Sequence, residues 1–134
     1  MQKEKISVVY IEKKQEKEAL LELAEKEYTV EIKLILKDMI IEKEGDNYFE
    51  TLLDIRKELE ILNIQLLCKG CCKNVYPSGM LLSMGEGRKA YTLSLGEQAK
   101  MSSLVDIFSP CSLEEFGTIQ QQSDYFDLWT NSLG

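Results

Sequence analysis

The sequence predicts an α+β fold: a small, mainly antiparallel sheet with two principal helices packed on it, plus a charged N-terminal helix. Three observations carry this expectation. Stretches that are rich in β-branched residues or alternate apolar with polar positions recur at residues 6–11, 28–36 and 89–95. Two further stretches, 47–62 and 118–133, place apolar residues three and four apart behind capping signals. The chain has 134 residues, 44% hydrophobic and 29% charged, a balance that supports one ordinary core without staples. A single domain over residues 1–134 is expected.

The elements are expected in this order. Ile6, Val8, Val9 and Ile11 mark a first strand. Residues 13–27 are dense in Glu, Lys, Leu and Ala and contain no Gly or Pro, and Leu20, Leu21, Leu23 and Ala24 give them one apolar side. They are read as the charged N-terminal helix. Tyr28, Val30, Ile32 and Leu34 alternate with Thr29, Glu31 and Lys33, as in a half-buried strand. A turn at Lys37-Asp38 leads to a short return strand at Met39, Ile40 and Ile41. Asp46 or Asn47 then caps a helix, with Glu50 placed as in a capping box and Tyr48, Leu52, Ile55, Leu59 and Leu62 as its apolar stripe. Asn63 suits the left-handed exit of that helix, and residues 64–68 read as a buried strand. Near the C-terminus, Ser112 with Glu115 and Thr118 with Gln121 form two capping boxes. Ile119, Gln122, Tyr125, Phe126, Trp129 and Leu133 come after the second at helical spacing, with Phe126 and Trp129 expected in the core.

Net charge narrows the functional classes. With 23 acidic and 16 basic residues the chain carries −7, so a sequence-independent grip on nucleic acid is not expected. The excess serves solubility, or it provides an acidic face for a basic protein partner. There is no histidine, which removes Ser-His-Asp and Cys-His catalysis and every zinc site that uses imidazole. No apolar run approaches the ~20 residues that cross a bilayer, and the N-terminus does not read as a signal peptide. The expectation is a cytoplasmic protein with no cofactor, no membrane partner and no catalytic residue. The sequence leaves the oligomeric state open.

Residues 68–96, CKGCCKNVYPSGMLLSMGEGRKAYTLSLG, read as neither plain helix nor plain strand. They hold three of the four cysteines and five of the eight glycines. A long irregular segment in a compact domain usually has a purpose. Cys68, Cys71 and Cys72 spell C-x-x-C-C, with Cys111 as a distant fourth sulfur. Four thiolates can hold zinc, but structural sites use two C-x-x-C knuckles, and here there is one. A redox pair is the second reading, although Asn74-Val75-Tyr76-Pro77 does not start a helix behind it. Free thiols packed as small hydrophobes are the reading the residues favour over both. Gly85-Glu86-Gly87 beside Arg88 and Lys89 offers backbone N–H groups to an anion, or simply a positive-φ turn feeding a strand at Lys89. Tyr76-Pro77-Ser78-Gly79-Met80 has the composition of a turn. Ser78 lacks both a nucleophile elbow and a histidine to activate it. Met80, Leu81, Leu82 and Met84 form an adaptable apolar contact surface or part of the core.

Several strings carry a family resemblance. They are Asp46-Asn47-Tyr48-Phe49-Glu50 opening a helix with Arg56 and Glu58-Leu59, then Cys68-Lys69-Gly70, then NVYPSGM over 74–80, then MGEGRKAY over 84–91, then LVDIF over 104–108. From Tyr28 to the C-terminus the chain resembles a family of small bacterial proteins found beside polymorphic or contact-dependent toxin genes. The resemblance implies an immunity protein that binds and neutralises a cognate toxin domain, such as a nuclease, and it implies no enzyme activity. The toxin-binding or structural loop is then expected at Tyr76, Pro77, Ser78, Met80, Met84, Glu86, Arg88 and Lys89. The alternative is a small-ligand or metal-binding regulatory protein that uses the segment from Cys68 to Lys89.

Overall fold

A computed structural model describes residues 2–134. The chain opens with β1 (Gln2–Tyr10), β2 (Gln15–Glu25), β3 (Val30–Ile35) and β4 (Ile40–Gly45). With β5 (Ile64–Leu67) they form a five-stranded antiparallel sheet in the order β4-β3-β2-β1-β5. The α+β architecture is therefore present, but the charged N-terminal helix is not. Residues 15–25 are β2, paired over residues 15–23 with β1 and over residues 20–25 with β3.

The reason lies in a double periodicity. Leu20, Leu21, Leu23 and Ala24 fit one side of a helix, yet Ala19, Leu21 and Leu23 also fall two apart, and these three are the buried residues of β2. Helix propensity differs between residue types by only tenths of a kcal/mol. Ladders on both sides and full burial of Leu21 and Leu23, each worth about 1.5–3 kcal/mol, outweigh it. Of the charged residues that suggested a solvated helix, Glu22 instead joins a ladder across the outer face of the sheet. Glu22 lies between Lys3 at 3.6 Å and Lys33 at 3.9 Å, and Lys33 reaches Glu42 at 3.5 Å.

The inner face of the sheet is covered by α1 (Tyr48–Ile61), which packs on β3, β4 and β5. Its cap is Asn47, whose side chain accepts from the Glu50 N–H at 2.9 Å. Tyr48, Leu52, Ile55 and Leu59 are buried as the stripe requires, whereas Leu62 is the C-cap and is 43% exposed. Asn63 takes φ 56, the left-handed exit, and turns the chain directly into β5.

A second, three-stranded sheet comes next, β6 (Val75–Tyr76), β7 (Lys89–Thr92) and β8 (Leu104–Asp106), in the order β6-β7-β8. Between β6 and β7 stands α2 (Gly79–Met84). The chain ends with α3 (Ile119–Ser132), opened by the Thr118–Gln121 capping box and packed on α1 and β6. Here a second expectation fails. Phe126 and Trp129 are half-buried rather than core, and Gln122 is the one buried residue of α3. The aromatic side chains run outward from the core as a file. Phe49 meets Tyr76 edge-on at 5.2 Å, Tyr76 stacks on Phe126 at 4.2 Å, and Phe126 stacks on Trp129 at 5.9 Å. Trp129 at the outer end donates its indole N–H to the Glu97 carbonyl at 2.8 Å. The two sheets share one buried cluster that runs from Ile6 to Phe108. Among the described residues no helix is long and apolar enough to cross a membrane.

Candidate functional site

The segment after β5 is far more ordered than its composition suggests. Cys68 leaves the strand in extended conformation, and Lys69–Cys71 make one 3-10 turn. The turn is fastened from outside by the Lys69 N–H to the Ser109 carbonyl and the Gly70 N–H to the Ile107 carbonyl, both at 2.8 Å. Gly70 has no room for a side chain, because a Cβ there would stand 2.8 Å from Leu52 Cδ2. The turn brings Cys68 Sγ and Cys71 Sγ to 3.7 Å, and Cys68, Cys71 and Cys72 are all buried. Cys111 is partly exposed. Among the described residues no three Cys, Asp or Glu side chains converge so as to hold a metal ion.

Two polar residues organise this segment from below. Arg56 of α1 is buried and donates to the Gly70 carbonyl at 3.3 Å, to Gln122 Oε1 at 2.7 Å and to the Gly117 carbonyl at 2.9 Å. Gln122 Nε2 in turn donates to the carbonyls of Gly70, Cys72 and Val75, each at 2.9 Å. Apart from their bond to each other, both side chains donate to main-chain carbonyls of the segment and of the approach to α3, which is the purpose buried polar side chains commonly serve. Sequence reasoning missed the pair. Gln122 does stand on the apolar stripe of its helix, and a polar residue in that position is the signal that was available.

The thiols ionise unequally. Burial works against ionising Cys71, yet the hydrogen bond with the Cys68 thiol and the nearby Arg56 guanidinium hold Cys71 below its ordinary range. Cys68 is pushed well up, first by that hydrogen bond and then by burial. Cys111 is pushed up as well, by the Cys72 thiol first and by burial second. At the rim, Lys69 sits 2.7 Å from Glu115, and together with the Ser112 N–H it holds the Glu115 carboxyl down at about 2.

The expected loop residues divide into anchors and exposed groups. Tyr76 is locked in the aromatic file, and Pro77 is buried. The turn expected at 76–80 is instead a helix entry: Ser78 caps α2, its Oγ accepting from the Leu81 N–H at 3.2 Å. Proline fixes the approach and serine closes the first turn, so the residues that favour turns here favour a cap. Arg88 is an anchor too. It donates to Asp106 at 3.1 Å, to Gln2 at 2.6 Å and to Glu4 at 3.2 Å, and it lies over the Phe108 ring, tying the small sheet to the first strand. Of the two glycines in the 85–87 turn, only Gly87 has positive φ, at 71°, and Glu86 shares it at 58°. Gly87 packs against Asn47, and the Glu86 carbonyl accepts from the Tyr48 N–H at 2.7 Å. The turn therefore closes over the start of α1, and its N–H groups are used internally: Gly87 to Leu81 and Arg88 to Gly85. No anion cradle is left there.

The outward residues are Met80, Met84, Glu86 and Lys89, all exposed. None of the residues of α2 is buried, and Met80 and Met84 are 70% and 81% exposed. A separate open groove of about 690 Å³ lies on the outer face of the sheet, with Val9, Ile11, Leu67, Leu113 and Cys111 among its lining. In comparisons with known proteins, no family model and no curated protein matches the chain.

Proposed function

We propose that the chain is an immunity protein of the bacterial cytoplasm that binds and neutralises a cognate toxin domain of the contact-dependent or polymorphic type, without catalysing a reaction. The observation that carries this reading is α2, a helix of sequence GMLLSM with no charge and no buried residue. An apolar surface helix costs solubility unless something covers it, and methionine adapts its shape to a partner at little strain. The helix is preformed at both ends, by the Ser78 cap and by the turn through Gly87, so little ordering entropy is lost on binding. A stable interface takes about 800 Å² per partner. The six residues of α2 would thus be its centre, with Glu86 and Lys89 at the rim. The net charge of −7 suits a basic partner, as a nuclease domain would be.

The test is a pull-down from the native strain with the tagged protein and with a Met80→Asp/Met84→Asp variant. The wild type is expected to recover a toxin domain encoded beside it. The variant is expected to lose that partner while its melting temperature stays unchanged, since neither side chain is in the core. Recovery of no toxin domain, together with a lone gene in an ordinary operon, would sink the proposal.

A further inference from the structure

We infer that Cys68 and Cys71 form a thiol–disulfide site, which a small two-electron oxidant closes into an intrachain disulfide. The inference is independent of the proposed function and concerns sulfurs that function does not use. Three features of the structure support it. The two sulfurs are in contact at 3.7 Å across a single 3-10 turn. A disulfide is about 2.05 Å long, so closure draws them together by roughly 1.7 Å. The buried Arg56 guanidinium hydrogen-bonds only neutral acceptors, and it lowers the cost of a thiolate at both sulfurs. That thiolate is the form that attacks. Hydrogen bonding between the thiols leaves one proton shared, so one sulfur is the nucleophile and the other retains its hydrogen.

With hydrogen peroxide as oxidant the steps balance. The Cys71 thiolate attacks one peroxide oxygen and the O–O bond breaks. Sulfenic acid forms on Cys71, and the released hydroxide takes a proton to leave as water. The Cys68 thiol then displaces the sulfenic hydroxyl, a second water leaves, and the S–S bond forms. The pair is fully buried, so only an oxidant as small as peroxide reaches it without unfolding. Closure moves the turn that carries the Gly70 carbonyl, the acceptor shared by Arg56 and Gln122, and so reaches α3 through one hydrogen-bond hub.

The folded protein is treated with hydrogen peroxide, quenched in acid, unfolded, alkylated with N-ethylmaleimide and weighed intact. The expected result is a fall from four adducts to two with a Cys68–Cys71 link in the peptide map, restored to four by dithiothreitol. A Cys72→Ala/Cys111→Ala variant is expected to close the same link, and Cys68→Ser to abolish it. Should Cys68→Ser fail to fold, the double alanine variant decides alone. Four alkylated thiols after peroxide, a Cys72–Cys111 link, or sulfinic acids without any disulfide each overturn the inference.

Discussion

Arg56 brings a full positive charge into the interior and meets no carboxylate there. Its bonds run to two carbonyls and one side-chain amide. Such an arrangement persists because the loops at Gly70 and Gly117 turn their carbonyls inward, where no backbone donor answers them. A stranded buried acceptor costs about 1–3 kcal/mol, and an emptied side-chain volume adds to that. Arg56→Ala is therefore expected to lower stability by about 3 kcal/mol or more in urea unfolding. Arg56→Lys should restore only part of the loss, because an ammonium cannot reproduce the fork that spans Gly117 and Gln122. Arg56 and Gln122 share the Gly70 carbonyl, so their losses should not add. A double-mutant cycle with Gln122→Leu is expected to give a coupling of about 0.5–3 kcal/mol. Additivity of the two losses would show that they act as separate loop anchors rather than as one hub. Neither residue could be placed from the sequence, since the bonds join positions 66 and 61 residues apart and follow no local pattern.

At the scale of elements, β2 shows how a local pattern can be read two ways. In a helix, Leu20 and Leu21 would share one apolar side, whereas in a strand they point to opposite faces. The structure buries Leu21 fully and leaves Leu20 half-exposed on the outer face. Leu21→Glu is expected to cost more than about 4 kcal/mol, enough to unfold a marginal domain, while Leu20→Glu costs about 1 kcal/mol. Circular dichroism melts of the two variants measure this directly, and equal losses would contradict the strand. The elements that were legible carry signals that agree. In α1 the stripe, the Asn47 cap and the Asn63 exit all say helix, and β3 alternates strictly, with Val30, Ile32 and Leu34 buried and the residues between them partly exposed. In β2, propensity and the pairing partners disagree, and the partners lie in other strands, invisible to a window of sequence. α2 was illegible for a different reason. Six residues are too few to show a period, and Ser78 reads as a turn residue until the helix behind it is seen. The same limit hid the sorting of the loop. Composition marked the segment as special but could not tell that Arg88 anchors while Met84 faces out.

Across the whole molecule, the proposed function assigns net charge and exposed apolar surface different tasks. The excess of seven negative charges acts at a distance and governs how fast a basic partner arrives. The exposed methionines of α2 act only in contact and govern how long it stays. The two contributions are separable by kinetics on the toxin domain recovered in the pull-down. Raising salt from about 50 to about 500 mM is expected to slow association by about tenfold or more and to change dissociation by less than about twofold. Met84→Ala is expected to behave the other way, with association near wild type and dissociation faster by about tenfold, as for a side chain at the centre of an interface. Surface plasmon resonance at both salt concentrations gives all four rates. If salt and Met84→Ala both act on dissociation alone, charge is not steering. If Met84→Ala changes neither rate, α2 lies outside the interface, and the groove at Val9 and Leu67 becomes the surface to mutate next.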